Sequence, residues 1–157
     1  MKRKLTTVLL AALVMLSACS KPLKTDAPMN SFSFSHSGMN TALIYTLIAA
    51  ETQTGWQAEL SLMAQEQEYI LDMTDAEASA LAKIVQENEL NRWNGFDKVD
   101  KNALDGYGFE LCIGYADGQK LCASGSNAFP EGYNTAHKEI LEFFGELMER
   151  NGIENPF

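Results

Sequence analysis

The sequence predicts an α+β domain in which two helices pack on one face of an antiparallel sheet of about five or six strands. Two observations support this class. Apolar and polar residues alternate with a period of two in several short segments, and apolar residues recur at helical spacing in two others. The chain has 157 residues, of which 46% are hydrophobic. That length fits one domain of ordinary size, and that hydrophobic content excludes a wholly disordered chain.

Four strands are predicted before the first helix. Phe32 and Phe34 alternate with serine in the first strand, which indicates one buried face. The second strand is the most apolar stretch of the mature chain. A buried helix would also fit it, but its β-branched and aromatic residues favour a central strand, and it is too short to span a membrane. The four segments, which are expected to form a meander, are 31–36, 41–51, 56–63 and 68–73.

Helix signals follow the fourth strand. Thr74 and Glu77 are predicted to form a capping box, in which the threonine hydroxyl accepts from the backbone at Glu77 and the carboxylate reaches back. Apolar residues at helical spacing continue this helix to about Asn88. A second helix is expected over about residues 135–150, with Asn134 as its cap and one apolar stripe along its length.

The first twenty residues have the layout of a secretory signal peptide. A basic stub at residues 2–4 precedes an apolar stretch over 8–16, which is too short to span a bilayer. The junction Leu16-Ser17-Ala18-Cys19 resembles a bacterial lipobox. The resemblance implies transfer of diacylglycerol to the Cys19 thiol, cleavage before Cys19, and acylation of the new amino terminus, for example with palmitate. An ordinary secretory peptide with an unrelated cysteine is the alternative.

This interpretation divides the chain into three parts. They are a cleaved signal peptide over 1–18, a lipidated N-terminus with a flexible tether over 19–30, and a single α+β domain over 31–157. The expected location is the cell envelope, and the outer membrane if the host is Gram-negative, because Ser20 rather than aspartate follows the cysteine. Lipid chains hold such a protein on the membrane without a spanning helix.

The charge balance argues against nucleic acid as a partner. The full chain has 12 basic and 21 acidic side chains and a formal net charge of −9. Removal of residues 1–18 takes away three basic and no acidic residues, which leaves 139 residues at −12. Phosphate binding needs clustered lysine and arginine, and an acidic surface is poorly suited to lying flat on anionic lipid. Lipid is therefore expected to hold the domain at one end only.

The clearest hairpin is predicted over residues 107–125, with a turn whose last residue is Gly118. A three-residue loop that ends in glycine fits a type I turn and a bulge, with that glycine in the left-handed conformation. This register places Cys112 opposite Cys122 in a non-hydrogen-bonded pair, where Cα atoms lie about 4.5 Å apart and a disulfide can form. A structural disulfide is expected in an exported protein, with two reduced thiols or a redox pair as the alternatives.

No cofactor, metal or catalytic motif is expected. His36 and His137 lack the short spacing of zinc ligands. Residues 97–106 are similar to a calcium loop, but Asp105 falls one position late and the closing glutamate is missing. The serines around Gly125 do not form a G-x-S-x-G elbow. A non-enzymatic protein is therefore predicted.

Two segments rich in aromatic and turn residues flank the hairpin, a loop predicted over 91–106 and the residues 127–133. Both border the same two strands, so they are expected to converge at one end of the sheet. Aromatic residues on loops often mark a recognition surface, but these side chains would also serve to close the edge of the core. The candidate interaction residues are Trp93, Asn94, Phe96, Asp97, Asp105, Asn127, Phe129 and Tyr133.

The stretch from about residue 93 to residue 144 resembles a class of small, uncharacterised bacterial lipoprotein domains. The resemblance is carried by a W-N-G-F loop, an Asp-Gly before an alternating strand, a D-G hairpin turn and an N-x-F-P segment before the last helix. It implies an α+β architecture, and no catalytic motif accompanies it.

Two functions are consistent with these observations. The first is a membrane-anchored envelope lipoprotein whose domain is a non-enzymatic binding module for an envelope protein. The alternative is a small-ligand-binding or hydrolytic domain, with a site between the 107–125 hairpin and the flanking aromatic loops. A single cleft that gathers Asp97, Asp105, Asn127 and Tyr133 would favour the alternative.

Overall fold

A seven-stranded mixed sheet with two helices on one face organises the chain in the computed structural model, which describes residues 21–38, 44–102 and 106–157. The strands are β1 (Met29–Ser37), β2 (Tyr45–Thr52), β3 (Gly55–Leu62), β4 (Gln67–Met73), β5 (Asp97–Val99), β6 (Gly108–Tyr115) and β7 (Lys120–Ser126). The helices are α1 (Asp75–Glu87) and α2 (Tyr133–Arg150). In space the strands follow the order β4-β3-β2-β1-β6-β7-β5, and only β5 and β7 pair in parallel.

The predicted α+β class is confirmed, but the sheet has one or two strands more than expected and is not wholly antiparallel. The difference lies in residues 91–106, where a loop was predicted. A 3₁₀ turn, Leu90–Trp93, leads there into β5. All three side chains of β5 are exposed, so no alternation marks this strand in the sequence. Its partner β7 comes later in the chain, after β6.

One face of the sheet forms the core together with both helices. In β1, Phe32, Phe34 and His36 are buried on this face, while the intervening serines lie on the other. The period of two therefore gives the correct buried face of β1. The buried hydrophobic residues of the core span Met29 to Met148.

The start of α1 agrees with its predicted capping box, and the start of α2 does not agree with its predicted cap. Thr74 Oγ1 accepts from the Glu77 backbone, and the Glu77 carboxylate accepts from the Thr74 N–H at 2.7 Å. The prediction of Asn134 as the cap of α2 was wrong. This helix begins two residues earlier than predicted, at Tyr133, after Gly132 in the left-handed conformation (φ +79°), and no side chain caps it.

The predicted hairpin turn is confirmed. Gly118 has φ +82°, and its N–H donates to the Tyr115 carbonyl at 2.9 Å. Tyr115 N–H donates to the Gln119 carbonyl at 3.0 Å, which closes the loop with the predicted register. Cys112 therefore lies opposite Cys122, with Cα atoms 4.3 Å apart and a disulfide between them.

Removal of this disulfide in the double variant Cys112→Ala/Cys122→Ala is expected to lower the free energy of unfolding by about 2 to 3 kcal/mol, because the bridge restricts the unfolded hairpin. Urea unfolding of the variant and of the oxidised wild type measures the difference. Reduced wild-type protein should match the double variant. Equal midpoints for oxidised and reduced protein would contradict this expectation.

Residues 21–28, here called the strap, differ from the flexible tether predicted over 19–30. Pro28 accepts a hydrogen bond from the Ala116 N–H at 2.9 Å, and Thr25 Oγ1 donates to Asp117 at 2.7 Å. Leu23 is half-buried against the core. Single contacts between distant segments carry no periodicity, so the sequence gives no sign of them.

Several predictions fall outside the described residues. They concern the signal peptide over 1–18, the lipobox cysteine Cys19, the start of the second predicted strand at 41–43, and Asp105. Among the residues that the structure describes, no helix has the length and apolar character needed to cross a membrane.

Candidate functional site

The face of the sheet opposite the helices carries mostly short and polar side chains, and no element in the described ranges covers it. Its middle row crosses six strands and consists of Ile70, Glu59, Ile48, Ser33, Cys112 and Cys122. The disulfide thus lies on this open face. The face is acidic, because its strands present five carboxylates and one lysine, namely Glu59, Glu68, Asp72, Asp97, Glu110 and Lys120.

β4 forms one edge of this sheet. Along the middle row, non-hydrogen-bonded and hydrogen-bonded pairs alternate from strand to strand, starting from the non-hydrogen-bonded Cys112–Cys122 pair. The last pair, between β3 and β4, is therefore also non-hydrogen-bonded. The backbone groups of Glu68, Ile70 and Asp72 accordingly point away from β3. Arg150 Nη2 accordingly reaches the Asp72 carbonyl at 2.7 Å. The Ile70 side chain is 71% exposed. β4 contains neither the lysine nor the proline that commonly protects an edge strand.

A groove of about 600 Å³ lies on the open face where β1, β6, β7 and β5 meet. Within it, Ser124 Oγ donates to Asp97 Oδ1 at 3.0 Å. Asn127 Oδ1 accepts from the Tyr107 backbone N–H, also at 3.0 Å. The groove therefore brings together two of the residues predicted from the sequence, Asp97 and Asn127, beside a row of serines.

The loop aromatics lie mainly on the other side of the sheet. Trp93 is 3% exposed, and its indole Nε1 donates to the Glu131 carbonyl at 3.1 Å, so the two aromatic segments do converge. Tyr133 is also buried, Phe96 is half-buried, and Phe129 is the most exposed of the four at 39%. Trp93 and Tyr133 therefore close the edge of the core instead of forming an exposed surface.

Two histidines and two tyrosines meet in the core between β1, β2 and α2. His36 Nδ1 lies 3.1 Å from the Tyr133 hydroxyl, and His137 Nε2 is hydrogen-bonded to the Tyr45 hydroxyl. The centroids of the two imidazole rings are 5.1 Å apart. We call these four residues the histidine–tyrosine cluster.

Burial sets the protonation of this cluster. Desolvation lowers the pKa of His36 below its ordinary value of 6.5, and desolvation together with the charge of His36 lowers the pKa of His137 to about 4. Desolvation raises the pKa of the Tyr45 and Tyr133 phenols. At neutral pH all four groups are therefore uncharged, and each phenol can donate to a neutral imidazole nitrogen.

The sequence does not predict this cluster, because the two histidines stand out there only as possible metal ligands. A signal existed for His36, which is in phase with Phe32 and Phe34 and is therefore predicted to be buried. None existed for its contact with His137, because that contact depends on how α2 crosses the sheet.

The single cleft that would have favoured a small-ligand or hydrolytic domain is not formed by the described residues. Asp97 and Asn127 line the groove on the open face, whereas Tyr133 lies on the core face, and Asp105 is outside the described residues. Both histidines also lie on the core side, away from Ser124, so neither can activate that hydroxyl.

The chain matches no protein-family model and no curated protein. Its function is therefore inferred from its own residues.

Proposed function

We propose that the chain is a lipid-anchored lipoprotein of the bacterial cell envelope, placed in the outer membrane if the host is Gram-negative, whose domain is a non-enzymatic binding module. The lipobox resemblance at Cys19 supports the anchor. The outer edge of β4, with which no strand of the described ranges pairs and where Ile70 is exposed, is the observation that carries the binding role. The outward backbone groups of Glu68 and Ile70 are a template for a strand from another chain, whereas the Asp72 carbonyl already accepts from Arg150.

The partner that fits this edge best is an extended segment with basic residues at alternate positions. Such a segment would add a strand to β4, with main-chain hydrogen bonds supplying affinity and alternate side chains supplying specificity. Basic side chains would lie beside Glu68 and Asp72, and an apolar one beside Ile70. A second copy of β4, paired antiparallel about Ile70, would set Glu68 against Asp72, and like charges directly opposite are unfavourable.

Ile70→Pro is expected to abolish binding of an extended peptide in which lysine and valine alternate with threonine. The proline removes an N–H that points outward and leaves the bonds between β4 and β3 in place, so the fold is retained. Fluorescence anisotropy of the labelled peptide measures the affinity, and a peptide with glutamate in place of lysine controls for charge. Ile70→Thr keeps the N–H and should bind within a few-fold of wild type. Unchanged affinity in Ile70→Pro would exclude the edge as the binding site.

Cys19→Ser is expected to move the protein from the membrane fraction to the soluble fraction, because lipid is its proposed attachment. Fractionation of cells that express the full chain measures this change of location. Mass spectrometry of the N-terminal peptide of the purified protein detects the acyl chains. Ser20→Ala is the matched control and should stay with the membrane. Retention of Cys19→Ser on the membrane, or a wild-type mass without acyl chains, would contradict the proposed anchor.

Binding of a small polar ligand in the groove of about 600 Å³ is the second candidate function, because Asp97, Ser124 and Asn127 line that groove together. Ser126→Trp would fill it without changing β4. Loss of partner binding in Ser126→Trp, with normal binding in Ile70→Pro, would assign the function to the groove instead of the edge.

A further inference from the structure

The strap is held to the domain from the first residue that the structure describes. The backbone N–H of Leu23 donates to the Asn91 carbonyl at 3.0 Å, and Asn91 Nδ2 donates back to the Leu23 carbonyl at 3.4 Å. One step nearer the N-terminus, Asn94 Nδ2 donates to the Lys21 carbonyl at 3.2 Å. Gly95, next in sequence to Asn94, donates its N–H to the Cys122 carbonyl of β7 at 2.9 Å. Lys21 is therefore fixed beside the β7 end of the sheet.

We propose that the strap orients the domain on the membrane, with the β5–β7 edge toward the bilayer and the β4 edge away from it. This inference rests on the proposed lipidation of Cys19. Only Ser20 separates Cys19 from Lys21, and two steps of extended chain reach about 7 Å. Lipid on Cys19 must then enter the bilayer close to the place where Lys21 is held.

The charge at the β5–β7 edge fits a lipid surface better than the rest of the domain does. Basic and acidic residues are balanced here, in a chain whose acidic residues outnumber its basic ones by 21 to 12. In the described part of this edge the residues concerned are Lys21, Arg92, Lys98 and Lys101, and Glu89, Asp97, Asp100 and Glu131. Repulsion from anionic headgroups is therefore weaker at this edge than at the acidic open face.

The proposed orientation also serves the proposed binding edge. β4 lies six strand spacings from β5 in the sheet, about 29 Å away. A domain that stands on its β5–β7 edge therefore presents β4 to partners beyond the headgroups.

The two tryptophans of the chain report on this orientation. Trp93 lies beside β7, whereas Trp56 lies on β3, four strand spacings from β7, which is about 19 Å. The lipidated protein is reconstituted in phosphatidylcholine and phosphatidylglycerol vesicles that contain dansyl-phosphatidylethanolamine. Energy transfer from Trp93, measured in Trp56→Phe, is expected to be several-fold more efficient than transfer from Trp56. The Trp56 contribution is the difference between wild type and this variant, so no change to the buried Trp93 is needed. Equal transfer from both would overturn the proposal.

Release of the strap should make the efficiency of energy transfer to the dansyl lipid the same for Trp93 and Trp56. Leu23→Asp combined with Asn94→Ala disrupts the contacts next to the anchor. Thr25→Val removes the hydrogen bonds of Thr25 Oγ1 to Asp117 and from the Ala27 N–H, leaves the contacts of Lys21 and Leu23 in place, and should keep the orientation. A difference that persists in the double variant would show that the strap does not set the orientation.

The mass of the N-terminal peptide distinguishes failure of the proposed lipid anchor on Cys19 from failure of the proposed orientation by the strap. Protein without acyl chains on Cys19 contradicts the proposed anchor and leaves the strap geometry to be tested on its own. A maleimide lipid coupled to the Cys19 thiol of a chain that begins at this residue allows the same tryptophan comparison, because the buried hydrophobic core formed by the described residues extends from Met29 to Met148. Equal transfer in that conjugate would overturn the orientation independently of cellular processing.

Discussion

Phe34→Ala is expected to lower the free energy of unfolding by about 3 to 5 kcal/mol, the usual cost of removing a fully buried aromatic ring. Phe34 is 0% exposed and occupies the centre of the aromatic core. Its ring centroid lies 5.5 Å from that of His137 and 6.5 Å from those of Tyr45 and Phe109. Two strands, β2 and β6, and the helix α2 contribute these neighbours, so the cavity cannot close by movement of one element alone.

Urea unfolding followed by circular dichroism measures this loss. Phe143→Ala is the matched control, because Phe143 is half-buried at the periphery of the core, and its loss should be clearly smaller. Phe34→Leu, which keeps most of the buried volume, should lie between Phe34→Ala and wild type. A Phe34→Ala protein as stable as Phe143→Ala would show that the aromatic core is loosely packed and can collapse into the space.

Local chemistry made much of this fold predictable. The alternation of Phe32 and Phe34 with serine determines which face of β1 is buried, since a slip of one residue would expose both rings. Gly118 selects the turn, and the turn alone sets the register that pairs Cys112 with Cys122. In each case the signal and its consequence lie within a few residues of each other.

The features that escaped prediction depend on contacts between distant segments. β5 is recognisable only beside β7, because its own side chains are all exposed. The strap is held by the backbone carbonyl and side-chain amide of Asn91 and by the side-chain amide of Asn94, and such single long-range hydrogen bonds leave no periodic pattern in the sequence. The candidate binding edge is similar: β4 was expected as a strand, but its position at the end of the sheet follows from the order of all seven strands.

Acidification from pH 6.5 toward pH 4 is expected to destabilise the domain by about 3 kcal/mol through His137, since the pKa of this imidazole falls from 6.5 to about 4 on folding. Burial lowers the pKa of both His36 and His137 in the folded protein, whereas both imidazoles take up protons in the unfolded chain below pH 6.5. The unfolded state therefore binds more protons in this range, and stability falls as the pH falls. The lowered pKa of His36 adds to the loss in the same direction.

The groups that face the two imidazoles do not offset this effect. Tyr45 and Tyr133 stay uncharged, because burial raises the pKa of both phenols. The shallow groove outside His137 is lined by one basic and one acidic side chain, Lys138 and Glu142, and these two groups form an ion pair with each other at 3.1 Å. A proton added to His137 would therefore be accompanied by loss of its hydrogen bond from Tyr45 and by repulsion from protonated His36.

His137→Gln isolates this contribution. Glutamine does not titrate and its carbonyl can accept from the Tyr45 hydroxyl, so this variant is expected to be less stable than wild type at pH 7 but to lose less stability between pH 6.5 and pH 4. Urea midpoints at half-unit pH intervals measure how stability changes with pH in wild type and in His137→Gln. The difference between these two slopes cancels the contribution of the carboxylates, which both proteins share. Parallel slopes would mean that His137 is protonated in the folded domain at no cost. A steeper fall of stability in the wild type would assign that part of the acid sensitivity to His137, in the histidine–tyrosine cluster where α2 is packed against β1 and β2.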